Sequence, residues 1–576
     1  MKLLKKLFSN HNFWPLVIVI FVALLAGRTL LTPGYFKMHD DLQMMRQLEM
    51  EKCFLDLQIP CRWVPDMGYG FGFPLFNYYP PLPYLVGELF RLVGFSFVDI
   101  AKLVFLISFV LSGIAMYFFS KEFFGKVGGI LSSIFYIWAP YHAVDVYVRG
   151  ATNEAWAFIW FPLILLFSYR LIISHKLLIT RWIILLSLSW TGLFLSHNLM
   201  VLIFTPVFGL WILYFLLREK NWGKIILLLR SGVLALGLTA FFTLPAILEQ
   251  KYVQVNTLIN GYYEYIAHFA TFKQLFLSRF WGYGPSAWLE NDKMSFQIGH
   301  LHWILSLVIG GWWLVTSLKK KKNVIHNSWF IIPFFFVVGW FAAFMAHSRS
   351  TFIWQVLPPL KFVQFPWRFL TLVTFSFSFI VGSLALVIPK KFIYWVVGLL
   401  SIGLIIFNWN YFLPDGRKMG PLTDKEKFTG VAWDLQRNGG IFDYLPKTAK
   451  ENPKEGQSIL AEAVDGRGEI TNPQEGTNWA RFSTVNSQPS IVRINIFKYP
   501  NWRAFIDGRE TEITIPETEN WGRMYIRVPE GTHEIYLKLY NTPIRTIGNT
   551  ISFISWLGFL VFLVRRKKML QFKRGR

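Results

Sequence analysis

The chain is short of charge, of acid in particular, and of sulfur. Only 16% of its 576 residues are Asp, Glu, Lys or Arg, against 53% hydrophobic and 18% aromatic residues. That balance excludes an ordinary soluble globular protein and indicates a polytopic membrane protein. Acids number 34 and Lys plus Arg 58, for a net charge of +24. Such an excess could suit a nucleic acid. Here, though, the cations gather in short clusters between apolar runs, the distribution of cytoplasmic loops, and no nucleic-acid partner is expected. There is no Walker loop, no dinucleotide fingerprint and no metal-ligand spacing of histidines or cysteines, which argues against coupling to ATP or a nicotinamide. Acids and bases are few in mid-span and no internal repeat is evident, which disfavours an ion-coupled transporter. The two cysteines, Cys53 and Cys61, share one polar loop, a placement that permits a disulfide in an oxidising compartment. The first apolar run, Phe13 to Leu31, is too long for a cleavable signal and lacks a small-residue cleavage site, so it is expected to stay as a span.

What is present is a series of apolar stretches able to cross a hydrocarbon core ~30 Å thick. They lie near 13–31, 97–120, 126–142, 154–173, 182–196, 199–217, 224–248, 300–318, 328–346, 367–388, 392–411 and 546–564, about twelve spans. Every second connection is basic: Lys2, Lys5 and Lys6; Lys121 and Lys126; Lys176 and Arg181; Arg218, Lys220 and Lys224; Lys319 to Lys322; Lys390 and Lys391; and the tail Arg565-Arg566-Lys567-Lys568. The positive-inside rule then places both termini in the cytoplasm and the long connections 32–96, 249–299, 347–366 and 412–545 outside. The expected division is a transmembrane bundle over 1–411, an extracytoplasmic segment over 412–545, and a last span with its basic tail over 546–576. Within 412–545, alternating short runs from about 456 to 540 predict a β-sandwich or jelly-roll module. The runs are Trp479 to Val485, Ser490 to Phe497, Trp502 to Ile506, Thr511 to Ile515, Met524 to Val528 and His533 to Leu539.

Polar residues that carry chemistry concentrate at the outer ends of the spans. The first outer loop, 32–96, holds His39-Asp40-Asp41 with Arg46 close behind, ahead of two juxtamembrane helices expected over Asp41 to Leu57 and Tyr84 to Val93. Adjacent carboxylates beside a nearby cation resist joint ionisation, so one of them can stand ready to take a proton. Tyr141-His142, Asp145, Arg149 and Glu154 crowd the next outer connection, Ser196-His197-Asn198 the one after, and Lys361 with Gln364-Phe365-Pro366-Trp367-Arg368 the fifth. Taken singly, such residues serve as interfacial anchors or helix caps; together they favour a cavity suited to an anionic headgroup.

Several of these pieces resemble the GT-C superfamily of membrane glycosyltransferases. They are His39-Asp40-Asp41 with Arg46, Asn77-Tyr78-Tyr79-Pro80-Pro81, Ala139-Pro140-Tyr141, Arg149-Gly150-Ala151 with Glu154, Ser196-His197-Asn198 and Phe365-Pro366-Trp367-Arg368. The run from Tyr499 to Gly508, with Gly531-Thr532-His533, is similar to the β module of related proteins. More narrowly, the chain resembles bacterial polytopic proteins labelled 6-pyruvoyl-tetrahydropterin synthase-related, a label that implies no pterin chemistry here. The resemblance implies a GT-C-like bundle in the bacterial cytoplasmic membrane. Its activity would be inverting transfer of a sugar from a polyprenyl-phosphate donor to an envelope glycan, polymer or protein acceptor. A first-loop acid, Asp40 or Asp41 with His39 beside it, would be the general base. Arg149, Arg368 and Lys361 would meet the donor phosphate, while Arg46, Glu154, His197, Asn198 and Tyr141 orient groups around the cavity. Superfamily members often show Asp-Glu or Glu-Asp pairs where this chain has Asp-Asp after a histidine, which leaves the choice between the two acids open. A divalent metal, Mg or Mn, occurs in the superfamily, but two carboxylates alone do not establish one. The competing readings are a transporter or flippase of lipid-linked sugars and a non-catalytic scaffold for envelope assembly.

Overall fold

Apolar helices dominate the computed structural model, which describes residues 12–174, 178–288, 292–318, 330–417, 419–440 and 444–574. Lys2, Lys5, Lys6, Lys176 and the Lys319 to Lys322 run lie outside the described residues. Among the described residues, nine helices are long and apolar enough to cross a membrane, and Phe13–Ala26 and Ile331–Met345 are apolar but shorter. The chain is a multi-pass membrane protein. The sequence expectation of about twelve spans differs from nine partly because one helix, Phe97–Ile137, is two arms. Gly125 breaks it with φ 71° and ψ −176°. In a straight helix residues 117 and 129 would stand about 18 Å apart. Here a Cβ placed on Gly129 would lie 2.9 Å from the Tyr117 carbonyl oxygen, so the arms run back along each other. Only a residue without a Cβ takes that φ freely.

The chain divides into two compact units. The first comprises Met1–Gln43, Gly94–Gly232 and Ile259–Thr423. Its helices are α1 (Phe13–Ala26), the hairpin α2 (Phe97–Ile137), α3 (Pro140–Tyr147), α4 (Thr152–Ile173), α5 (Ile179–Ser196), α6 (Asn198–Glu219), α7 (His300–Leu318), α8 (Ile331–Met345), α9 (Leu370–Val381) and α10 (Ile393–Asn408). The expected span 126–142 ends early, at Ile137, because Ala139 precedes a proline and is driven to extended backbone (φ −71°, ψ 136°), and α3 restarts at Pro140. Polar side chains fasten helix ends to neighbouring backbone where water is scarce. Trp138 Nε1 donates to the Val22 carbonyl at 3.1 Å, Tyr147 Oη to that of Ala26 at 2.8 Å and Asn408 Nδ2 to that of Trp138 at 2.8 Å. The centre is aromatic: Phe119 stacks on Phe379 at 4.5 Å between centroids, and Phe161 on Phe204 at 4.2 Å.

The second unit comprises Met44–Val93, Val233–Leu258 and Asp424–Arg576. Where two juxtamembrane helices are expected from the sequence, the structure has α11 (Gln43–Leu55) and α12 (Leu82–Arg91). A disulfide joins Cys53 to Cys61, with Cα atoms 5.4 Å apart. Asp56, inside that loop, accepts from the Thr477 N–H at 2.7 Å and from Trp479 Nε1 at 2.8 Å. The last helix, Pro543–Arg574, lies close against Val233 to Leu248. A Cβ on Gly548 would come 2.6 Å from the Ala240 carbonyl oxygen, and Ser552 Oγ bonds the Phe241 N–H at 2.9 Å. Small residues permit this approach, as in many membrane helix pairs. At the buried end, Glu249 accepts from Arg545 Nε at 2.9 Å and Asn77 Nδ2 at 3.0 Å, so its charge is met within the unit.

The β module forms as two antiparallel sheets, β1-β4-β7 and β2-β3-β8-β5-β6. Its strands are β1 (Ala461–Ala463), β2 (Gly468–Glu475), β3 (Trp479–Asn486), β4 (Ser490–Phe497), β5 (Trp502–Ile506), β6 (Arg509–Thr511), β7 (Arg523–Val528) and β8 (Gly531–Leu539). Ala480, Phe482, Ile535 and Leu537 are buried while their neighbours in the strand are not, the alternation the sequence shows. Two details differ. β2 carries Asn472-Pro473 and its pairing slips between Thr471 and Gln474, which an edge strand tolerates and which hides it from pattern reading. The expected strand Thr511 to Ile515 is displaced: the tight turn at Asp507 and Gly508, both at positive φ, sends the chain back at Arg509, and beyond Thr511 only Thr514 bridges Tyr525.

Candidate active site

The site grows from the turn between α3 and α4. Helical spacing sets Asp145 one turn before Arg149, and the two ion-pair. The Arg149 guanidinium also meets Glu154 Oε2 at 2.7 Å and lies over the Trp367 ring, 4.4 Å from its centroid. Glu154, fully buried in the first turn of α4, is the hub. Its Oε1 accepts from Tyr141 Oη at 2.7 Å and Thr371 Oγ1 at 3.0 Å, and Arg368 Nε stands 3.5 Å from its Oε2. Two acids and two arginines thus compensate one another; a carboxylate buried this deeply would otherwise be very costly. The two cations differ in commitment. Arg149 is engaged by both acids, whereas Arg368 faces one of them at the longer distance and is steadied by the Val363 carbonyl at 2.7 Å and Gln364 Oε1 at 2.9 Å.

Onto this cluster the backbone lays the first-loop acids. The His39 N–H donates to the Val148 carbonyl at 3.0 Å and the Asp40 N–H to that of Arg149 at 2.9 Å. Gly150 makes the approach possible: its φ is +65°, and a Cβ there would sit 2.3 Å from Met38 Sδ. Gln43 Nε2 then ties the segment together, donating to the Gly150 carbonyl at 2.5 Å, the Asp40 carbonyl at 3.1 Å and Asp40 Oδ2 at 3.4 Å. The His39 ring packs against Tyr283, centroids 4.3 Å apart, with Lys37 Nζ 4.8 Å from the same ring. Burial against that surface, with the nearby Arg149 charge, holds the imidazole down at about 4, so it is neutral at neutral pH. The Tyr283 hydroxyl is pushed up by burial and then by the charge of Asp41.

His39, Asp40, Arg149, Glu154, Tyr141 and Arg368 therefore fall in one neighbourhood of the first unit, and the Asp41 charge acts on Tyr283. His197 Nδ1 caps α6, accepting from the Leu199 N–H at 3.2 Å, and lies within electrostatic range of Glu154; Asn198 opens α6 and is exposed. Lys361 is exposed on the short helix Pro358–Val363. Arg46 belongs to the second unit, where it is buried against the Tyr79 ring at 4.3 Å and bonded to Tyr79 Oη at 3.1 Å. Sequence reading did not single out Gln43, Thr371 or Tyr283. The first two are common polar residues with no motif of their own, and Tyr283 is one tyrosine in an aromatic-rich connection. Among the described residues no three His, Cys, Asp or Glu side chains come together as a metal site, and the proposed reaction step uses none.

No family model matches the chain. An uncharacterized protein of Lactococcus lactis subsp. cremoris (strain MG1363) is 22% identical over 258 residues, covering 42% of this chain and 41% of that protein, so the match spans about two fifths of the relative's length. Among solved structures, the crystal structure of ArnT from Cupriavidus metallidurans bound to undecaprenyl phosphate is similar at a TM-score of 0.37 and 14% identity. That likeness covers 69% of this chain and 64% of that one, just under two thirds of its length.

Proposed function

We propose that this chain is an inverting membrane glycosyltransferase of the GT-C kind, moving a sugar from a polyprenyl-phosphate donor to an envelope glycan, polymer or protein. It would act at the outer face of a bacterial cytoplasmic membrane, with both termini in the cytoplasm. One observation carries the reading: a multi-pass bundle lays a pair of adjacent acids, by backbone hydrogen bonds, along the turn that bears a buried arginine cluster. Asp40 is the base. Gln43 fixes both its carboxylate and its main chain. In the reaction the Asp40 carboxylate takes the proton of the acceptor hydroxyl as that oxygen attacks the anomeric carbon. The bond from that carbon to the phosphate oxygen breaks, and the lipid phosphate departs with the electron pair. Arg368, less committed to the buried acids than Arg149, meets the departing phosphate, and its planar fork suits that anion better than an ammonium would. Lys361 is a secondary, exposed contact for the same group.

The test is turnover of a synthetic polyprenyl-phosphate sugar by the purified full-length protein. Asp40→Asn should lower turnover by ~10²-fold or more while leaving donor binding near normal, and Asp41→Asn should cost less. Arg368→Lys should weaken donor affinity with folding intact. Near-full transfer by the Asp40→Asn, Asp41→Asn double variant, or movement of the lipid-linked sugar across liposomes without turnover, would overturn the enzyme reading in favour of a flippase.

A further inference from the structure

The β module carries a second feature on the outer face of its five-stranded sheet. Register arranges that face in cross-strand rows, Arg481–Tyr536–Phe505 and Trp479–Lys538–Arg503. Two shallow depressions of about 370 and 330 Å³ lie on it, and Glu534 and Tyr536 line both, so they form one continuous trough. Around the larger, the Phe505 ring stands 6.3 Å from Tyr536 and 6.5 Å from Tyr540, with the carboxylates of Asp507 and Glu534 beside the rings. The smaller ends at the Trp479 indole, fixed by its bond to Asp56.

Acids answer two of the three cations in these rows, and the third, Lys538, donates from Nζ to Asn478 Oδ1 at 2.7 Å. Arg481 meets Glu534 at 2.6 Å, Arg503 meets Glu510 at 3.8 Å and lies 5.4 Å from the centre of the Tyr540 ring, and His533 meets Asp507 at 2.7 Å. A polyanion gains little from a surface whose cations already have partners, and a lipid surface or apolar peptide finds rings separated by ions rather than a continuous patch. What the trough suits is a ligand with alternating apolar and hydroxyl-bearing faces. Ring faces take the C–H side of a pyranose, and carboxylate and guanidinium edges take its hydroxyls. An ordinary solvated sheet face scatters its aromatic residues singly; here three rings share one depression and a fourth closes the adjoining one.

We infer that this face binds a neutral oligosaccharide chain along the trough from Tyr540 to Trp479. The inference stands on the module's own surface and does not depend on the transferase reading. It is tested by saturation-transfer NMR on the full chain in a detergent without sugar headgroups, with cellotetraose and chitotetraose as neutral probes and polygalacturonate as the anionic one. At least one neutral probe should receive saturation at its ring C–H protons. Its affinity should fall about tenfold in Tyr536→Ala, the scale of losing one stacking ring, and persist in Tyr536→Phe and in Val485→Ser on the same sheet. Binding should be unchanged in Asp40→Asn, so the two proposals fail separately. No saturation from either neutral probe, equal binding by a folded Tyr536→Ala variant, or a preference for polygalacturonate would overturn the inference.

Discussion

At Gly150 the main chain turns with φ +65°, and the space where a side chain would begin is taken by Met38 Sδ, with the Asp40 carbonyl oxygen 3.1 Å away. The glycine is therefore what lets the acid-bearing segment pair with the turn that carries Arg149. Replacing it by alanine adds a clash to a backbone conformation that L-residues adopt at a cost of about 1–3 kcal/mol. Relief would come by moving the His39–Asp40 segment, since the turn itself is locked by the buried ions on either side. We expect Gly150→Ala to lower turnover by ~10²-fold, the scale of an ångström-sized displacement of a reacting group, while thermal unfolding shifts modestly. Adding Met38→Ala to remove the sulfur should restore part of the activity. Steady-state rates of the single and double variants decide the point: a double variant no better than Gly150→Ala would mean that the spacing between these two segments does not set the position of Asp40.

Among the elements, the loop closed by Cys53 and Cys61 ties the end of α11 to the β module through Asp56. In the unfolded chain a cross-link over so short a loop removes roughly 2–4 kcal/mol of conformational freedom. We expect Cys53→Ser, Cys61→Ser to lower the unfolding temperature and open residues 54–60 to protease, and alkylation of the native protein without reductant to add no mass. Two alkylated thiols in protein isolated from an oxidising envelope would sink this account. Which elements could be read in advance follows from range. Apolar run length marked the span-forming segments, including the two arms of α2, because burial in lipid depends on the segment alone. Strict alternation marked most strands of the β module, while β2, with Pro473 at a slipped register, and the shift to Arg509–Thr511 were hidden because pairing partners decide them. The acids and arginines of the site stood out as charges at span ends, but Gln43 acquires its meaning only from the Gly150 carbonyl, more than a hundred positions away. Likewise, nothing local showed that the boundary between the two compact units falls between Gln43 and Met44.

For the molecule as a whole, the proposed chemistry requires that the site face the compartment in which a lipid-linked sugar is displayed. A donor carried by a lipid is what allows transfer on the side of the membrane that cytosolic nucleotide sugars do not reach. Sidedness therefore bears on function as directly as the acids do. The charge distribution supplies the expectation: Lys121, Lys126, Arg181, Arg218, Lys220, Lys224, Lys390 and Lys391 fall in alternate connections, and the first outer loop falls in the other set. Asn221 and Ser348 are exposed positions of the first unit in opposite sets. With both native cysteines in a disulfide, a cysteine introduced at either place is a clean reporter. Ser348→Cys should react with a membrane-impermeant maleimide in intact cells, and Asn221→Cys only after the membrane is opened. Equal labelling of the two in intact cells would place the paired acids on no defined side and remove the reason for a lipid-borne donor. Reversed labelling would put Asp40 in reach of soluble nucleotide sugars, and the donor would then have to be sought among those.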